Sequence, residues 1–205
     1  VLDRLLILAL YQGLSPIIVL NKVDLLTDEL RAAADAWFQT YERASFAVVG
    51  CSSRTGAGVQ TLAQFLDGRI AVLSGNSGVG KSSLLNRLVP QARLRTGDLS
   101  GSTPRGTHTT RHVELLAYGA GYIADTPGFV RLEFPNGMKP QHLSNCYPEY
   151  VHLGRECRFR GCQHMAEPGC AVRRAVAEGE LDSDRYQRYL LFMRELDAAR
   201  AEHLP

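Results

Sequence analysis

Gly75-Asn76-Ser77-Gly78-Val79-Gly80-Lys81-Ser82 is the stretch on which the reading of this chain turns. It fits the pattern G-x-x-x-x-G-K-[ST]. In that pattern glycines let consecutive backbone N–H groups wrap a phosphate, and the helix that follows adds the field of its N-terminus. Lys81 would reach the β- and γ-phosphates. Ser82 would offer its hydroxyl to Mg²⁺, with Ser83 beside it. The flanks agree: Ile70 to Leu73 is a short apolar run of strand length, and Lys81 to Leu88 carries a helical pattern.

Upstream, the apolar run Ile17-Ile18-Val19-Leu20 ends at Asn21-Lys22-Val23-Asp24. An aspartate facing a base edge accepts from both N1–H and N2–H₂ of guanine. Adenine has no such pair of donors, so Asp24 would be left unpaired against it. Asn21 would brace the loop and contact N7, and the Lys22 stem would cover the base. The carboxyl end of a strand is where ligands of open α/β sheets bind. A second apolar run, Phe46 to Val49, leads into Ser52-Ser53-Arg54-Thr55-Gly56. That segment resembles the short loop that caps guanine O6 with a backbone N–H, and it reads equally as a plain turn.

Between them a helical pattern runs from about Thr27 to Arg43, with Thr27 or Asp28 as cap and Trp37 and Phe38 facing inward; a short helix covers Val59 to Leu66. From Val89 to Thr110 periodicity fails, broken by Gly97, Gly101, Pro104 and Gly106, which predicts a long mobile loop. His108-Thr109-Thr110 lies in it and offers a threonine to Mg²⁺; either can serve, and Thr110 is preferred. Strands follow near His112–Leu116 and Gly121–Asp125. Asp125-Thr126-Pro127-Gly128 would then hold Mg²⁺ through water at Asp125 and sense the γ-phosphate at the Gly128 N–H. Buried runs alternating with helices imply a mostly parallel sheet covered on both faces.

The order of these motifs is informative. Small GTPases run phosphate loop, switch threonine, D-x-x-G, N-K-x-D and then the O6-capping loop; here the last two come first. A cut and rejoin at surface loops leaves each strand end in place, so a circularly permuted α/β fold is expected. D-x-x-G then leads almost directly into the C-terminal residues, which lets switch motion pass to them.

Composition narrows the class. The chain has 205 residues, 45% of them hydrophobic and 21% charged, with a formal net charge of +2, which points to no particular partner. No apolar run reaches membrane-spanning length. Val1 to Leu10 reads as an amphipathic helix rather than a leader, and the expectation is a cytoplasmic, monomeric protein. The lysines are Lys22, Lys81 and Lys139, and two of the three fall in nucleotide motifs, where a compact ammonium fits and a planar guanidinium does not. There are five cysteines, and Cys157-x₄-Cys162-x-His164-x₅-Cys170 has the spacing of a closed tetrahedral Zn²⁺ site. Cys146 and His152 are alternative ligands, and reduced core cysteines are the plainer reading. The chain changes character near Lys139, which divides it into a nucleotide-binding domain, 1–138, and a zinc-binding helical domain, 139–205, with helices at about Ala171–Glu178 and Asp184–Glu202. Arginines gather at Arg93, Arg95, Arg105 and Arg111, and again at Arg155, Arg158, Arg160, Arg173 and Arg174. Such patches fit phosphate-backbone contacts or an arginine-rich solvated surface.

The chain resembles a known family over nearly its whole length: the circularly permuted small-ribosomal-subunit biogenesis GTPases, RsgA or YjeQ. The residues that carry this are Leu20-Asn21-Lys22-Val23-Asp24-Leu25, Gly75–Ser82, Gly106-x-His108-Thr109-Thr110, Asp125-Thr126-Pro127-Gly128-Phe129 and the Cys157/Cys162/His164/Cys170 set. The resemblance implies a GTPase that binds the 30S subunit and its rRNA late in assembly and hydrolyses GTP to GDP when stimulated by it. It also implies Mg²⁺ and one Zn²⁺ per chain. Two departures stand out. Family members carry an N-terminal OB-fold barrel, whereas this chain opens close to its base-reading motif; and Arg111 stands where a third threonine often follows the pair. Phe129 replaces the glutamine that orients water in many small GTPases. The resemblance offers His108 instead, and a solvated loop residue is the equal alternative; slow intrinsic turnover is expected either way. Two rival classes are a P-loop ATPase or kinase, which Asn21 to Asp24 oppose, and a zinc-based nucleic-acid-binding module.

Overall fold

In a computed structural model, residues 1–92, 114–125 and 132–202 are described, the side chains of Ala92, Glu114, Asp125 and Glu202 excepted. The order is α1 (Leu2–Tyr11), β1 (Ile17–Leu20), α2 (Asp28–Arg43), β2 (Ala47–Gly50), α3 (Val59–Leu66), β3 (Ile70–Val72), α4 (Lys81–Leu88), β4 (Glu114–Tyr118), β5 (Gly121–Asp125), α5 (Pro140–Leu143), α6 (Pro148–Leu153), α7 (Ala171–Ala177) and α8 (Ser183–Glu202). Strands β1 and β2 pair with each other, and β3, β5 and β4 form a second sheet in that order. No described helix is long and apolar enough to cross a membrane.

Strand β3 runs parallel to β5, with Ala71 opposite Ile123. Strand β4 is antiparallel to β5, from Glu114 opposite Asp125 to Tyr118 opposite Gly121. The sheet is therefore mixed. Its antiparallel half follows from the chain itself, because the two-residue connection Gly119–Ala120 can only reverse direction, whereas a parallel return needs a crossover. Cover is uneven between the two faces. Ile123 is fully buried on one face, but on the other Ile70, Val72, Tyr122 and Leu115 are exposed.

Packing divides the chain into two units. One comprises Val1–Ile18, Ala32–Val48 and Leu132–Pro205; the other comprises Val19–Arg31 and Val49–Arg131. The second unit holds the phosphate and base-reading segments. There the helices α3 and α4 bury Leu62, Leu66, Leu84, Leu85 and Leu88.

The first unit is mainly helical and, among the described residues, packs around two apolar centres. The larger gathers Ile7, Leu143, Tyr147, Tyr150, Val172, Tyr189, Phe192 and Met193 from α1 and the C-terminal helices. The smaller gathers Leu6, Ile18, Tyr41, Ala44 and Phe46, with Trp37 packed at its edge. Tyr41 is thus the inward residue of α2, while Trp37 and Phe38 are half-buried. Thr27 caps this helix, its Oγ1 accepting the Leu30 N–H at 3.4 Å.

A buried charge cluster sits in the first unit. The Arg185 Nε donates to Glu149 Oε1 at 2.7 Å, and its Nη1 donates to Asp3 Oδ1. Arg188 Nε reaches Asp3 Oδ2, and the Tyr41 hydroxyl donates to Asp3 Oδ1 at 3.2 Å. The Arg185 guanidinium also lies 4.5 Å from the Tyr147 ring centroid. Breaking a buried pair strands a charge. Arg185→Ala is therefore expected to cost about 3–5 kcal/mol by leaving Asp3 and Glu149 without their common cation. Adding Asp3→Asn and Glu149→Gln should recover part of the loss, which thermal unfolding of the wild type, Arg185→Ala and the triple variant measures.

Candidate nucleotide and metal sites

The phosphate loop takes its shape from glycines at positive φ. Gly78 has φ 77° and Gly80 φ 94°, a region that L side chains rarely occupy. At Gly80 there is a second reason, since a Cβ would come within 2.4 Å of Asn21 Nδ2. The loop closes on its own lysine: Lys81 Nζ donates to Gly75 O and to Asn76 O, each at 2.8 Å. An ammonium held at the mouth of a loop, with exposed Ser82 and Ser83 in the first turn of α4 behind it, is the charge arrangement a polyphosphate requires.

The base-reading segment is tied to this loop by its side chains. Asn21 Nδ2 donates to Val79 O at 3.0 Å, and Lys22 Nζ donates to Gly78 O at 2.7 Å. Asn21 Oδ1 accepts the Ser53 N–H at 3.1 Å, so one amide joins three segments that are far apart in sequence. Below it the strand ends interlock, with Cys51 N–H donating to Leu20 O at 2.8 Å and Val23 N–H to Cys51 O at 3.1 Å. Lys22 adopts a left-handed φ of 66°, which turns the chain from β1 into the loop.

The 52–56 segment is tied into the fold by its own hydrogen bonds. Ser52 is fully buried, its N–H donates to Ala57 O at 2.9 Å, and its carbonyl accepts the Gly56 N–H at 2.8 Å. Its hydroxyl donates to Asp24 Oδ1 and accepts the Thr55 N–H at 3.1 Å. Arg54 Nε and Nη2 donate to Asp24 Oδ2 at 2.9 and 2.6 Å. Hydrogen bonds from Ser52, and then from Arg54, hold the Asp24 carboxyl below the usual carboxylate range. The side chain of Asp24 is thus held as an anion, with Ser52 on one oxygen and Arg54 on the other. The pairing with Arg54 had no sequence signal, because the two are joined only through the fold.

His108, Thr109, Thr110 and Gly128 lie outside the described residues, and so does the long loop expected over Val89 to Thr110, apart from Val89 and a single turn at Pro90–Ala92. Asp125 is placed only by its backbone, as the last residue of β5. That strand end lies beside the end of β3, where the phosphate loop begins.

The first unit brings Cys157, Cys162, His164 and Cys170 together, their donor atoms all within 4.8 Å of one another. Cys157 Sγ lies 3.9 Å from Cys170 Sγ and 3.7 Å from His164 Nδ1, and His164 Nδ1 lies 3.3 Å from Cys170 Sγ. A tetrahedron with metal–sulfur arms of about 2.3 Å has edges near 3.8 Å. A disulfide needs a sulfur separation of about 2 Å. The donor set, three sulfurs and one imidazole nitrogen, therefore fits Zn²⁺. Neither alternative ligand, Cys146 or His152, belongs to the cluster.

The surroundings fix the ligands. His164 sits at φ 56° and is buried, with its carbonyl accepting the Tyr186 hydroxyl at 2.7 Å; Gln163 O accepts the Tyr189 hydroxyl at 2.7 Å. Glu167, which the motif did not single out, accepts the N–H groups of Gln163 (2.7 Å), Met165 (2.9 Å) and Ala166 (3.1 Å). Burial pushes its carboxyl up, but these bonds outweigh that and lower it.

A phosphate loop, a base loop tied to it by side chains, and their reversed order along the chain define a circularly permuted P-loop nucleotide-binding protein. Comparison with known proteins agrees. A family model described as RsgA GTPase matches residues 1–135, and the chain belongs to that family. It is 48% identical over 195 residues to "Small ribosomal subunit biogenesis GTPase RsgA" of Geobacillus kaustophilus, strain HTA426, covering 95% of this chain and 66% of the relative. It is 43% identical over the same length to the Bacillus anthracis protein of that name. The chain thus spans just under two thirds of these curated relatives, 66% of each. Among solved structures, YloQ, described as a circularly permuted GTPase, matches with a TM-score of 0.79 at 33% identity, covering 96% of this chain and 62% of that one. YjeQ from Thermotoga maritima matches at 0.78 and 34% identity, with coverages of 95% and 64%.

Proposed function

We propose that the chain carries the nucleotide-binding and zinc-binding parts of a GTPase acting in assembly of the small ribosomal subunit. The single observation behind this reading is the set of bonds that Asn21 and Lys22 make to Val79 and Gly78, which hold a base-reading carboxylate and a phosphate loop in one rigid arrangement. In this reading Asp24 accepts from the guanine edge, the 52–56 loop caps O6 with a backbone N–H, and residues Gly75 to Ser83 hold the phosphates. Ser82 and Thr110 would hold Mg²⁺, with Asp125 acting through water, and Gly128 would report on the γ-phosphate. Mg²⁺, when bound, would neutralise charge on the phosphate oxygens. His108 orients the attacking water. Turnover is slow by itself because no glutamine follows the D-x-x-G segment.

The functional division falls near 138/139, with nucleotide chemistry before it and a structural zinc module, held by Cys157, Cys162, His164 and Cys170, after it. The protein acts in the cytoplasm as a monomer, on the 30S subunit. Arg155, Arg158, Arg160, Arg173 and Arg174 are exposed around the metal ligands, with Phe159 among them, 44% exposed and its ring 5.5 Å from the Arg158 guanidinium. Cations beside an accessible ring are a surface suited to rRNA phosphates and an unstacked base.

The test is GTP turnover by the purified protein with and without 30S subunits, with ATP as control. Stimulation by at least about tenfold, confined to GTP, is expected. Equal turnover of ATP, or none of GTP in either condition, would overturn the reading.

A further inference from the structure

We propose that Arg54 is an internal stand-in for the guanine base: its guanidinium occupies the Asp24 carboxylate until a guanine nucleotide displaces it. This rests on the assignment of Asp24 as the base reader. The chemical argument is direct. The N1–C2(N2)–N3 portion of guanine is a guanidine, and its N1–H and N2–H bonds point side by side at an acceptor. Arg54 presents the same fragment, with Nε–H and Nη2–H side by side, and aims both at Asp24 Oδ2 from 2.9 and 2.6 Å.

The two groups that occupy Asp24 differ in how readily they leave. Ser52 is fully buried and its hydroxyl is also bonded to the Thr55 N–H, so it stays on Oδ1 as part of the frame. The Arg54 side chain is 71% exposed, while that of Asp24 is 11% exposed. A mostly solvated guanidinium swings into water at little cost, and a mostly covered carboxylate needs a donor in return. Guanine supplies two, and adenine supplies none at those positions.

The consequence is kinetic. When a binding-competent state is only a fraction of the population, apparent affinity falls by that fraction. An exposed ion pair of this kind shifts such an equilibrium by about fivefold at most. Removing the guanidinium frees Asp24 before the encounter and leaves the bound state unaltered. The effect therefore belongs in the association rate.

The experiment is stopped-flow binding of a fluorescent GDP analogue, and of its ADP counterpart, to the wild-type protein and to Arg54→Ala. The expected result is GDP association faster by about three- to fivefold in the variant with its dissociation rate unchanged. Guanidinium chloride, far below unfolding concentrations, should slow association to the variant again by refilling the vacated place. Sodium chloride at equal ionic strength should not. Selectivity for GDP with an unchanged or slower association rate in Arg54→Ala would overturn the proposal alone, as would a faster dissociation, which would place Arg54 on the bound base. Equal binding of GDP and ADP by the wild type would overturn the base-reading assignment and the proposal with it.

Discussion

Lys81→Ala is expected to weaken GDP and GTP binding by at least about a hundredfold, through two losses at one atom. In the proposed site the ammonium would face a multiply charged phosphate, and charge-assisted bonds to phosphate are roughly twice as strong as neutral ones. It also donates to Gly75 O and Asn76 O, so its removal leaves the loop carbonyls without their donor and the loop without its clasp. Lys81→Arg should not restore binding, because a planar fork on a longer stem cannot fill a place shaped for a compact ammonium. Calorimetric titration with Mg²⁺–GDP measures both, and circular dichroism shows that α4 persists. Affinity within about threefold of wild type in Lys81→Ala would remove Gly75–Ser82 from the phosphate site.

Purified protein is expected to hold one equivalent of zinc, and its removal should lower the melting temperature of the first unit by roughly 10–20 °C. The sequence suggests a segment too small to fold without metal. The structure modifies that picture, because Cys170 belongs to the larger apolar core and Cys157, Cys162 and Met165 pack against it. The metal would tie together residues 157–170, whose ends are otherwise joined by the Arg158 N–H to Gly169 O bond and whose carbonyls at Gln163 and His164 receive the hydroxyls of Tyr189 and Tyr186. Chelation should therefore expose the amides of that segment to exchange, loosen α8 through the two tyrosines, and leave GDP binding intact in the second unit. Hydrogen exchange with and without chelator, beside metal analysis, reads each part. Less than half an equivalent of zinc, or loss of GDP binding together with the metal, would overturn this division.

The parts of the fold that were legible in the sequence are those written in contiguous residues. Helix α3 spans Val59–Leu66 and α4 spans Lys81–Leu88, as their periodicity and flanking glycines imply. Strand β1 ends where Asn21 begins. The Cys₃His spacing identified four residues that do converge. In each case the physical cause is local: a helical repeat, a turn needing positive φ, or ligands close enough in chain for one short loop to bring together.

Tertiary structure decided the rest. Asp3 meets Arg185 across 182 positions, and the sequence marks neither as buried. Asn21 supports Ser53 and Val79 at separations of 32 and 58, so the proposed base-reading segment is also the brace between loops. The bonds of the 52–56 segment have no sequence signal, because the Ser52 hydroxyl and the Arg54 fork meet Asp24 across separations of 28 and 30. The exposed face of β3, β5 and β4 shows the same limit, since apolar runs give strand length but not which face finds a partner. Periodicity reports the environment of neighbours along the chain. Pairing of charges and donors between distant segments leaves no repeat in the sequence, and it is fixed only when packing brings those segments within hydrogen-bond reach.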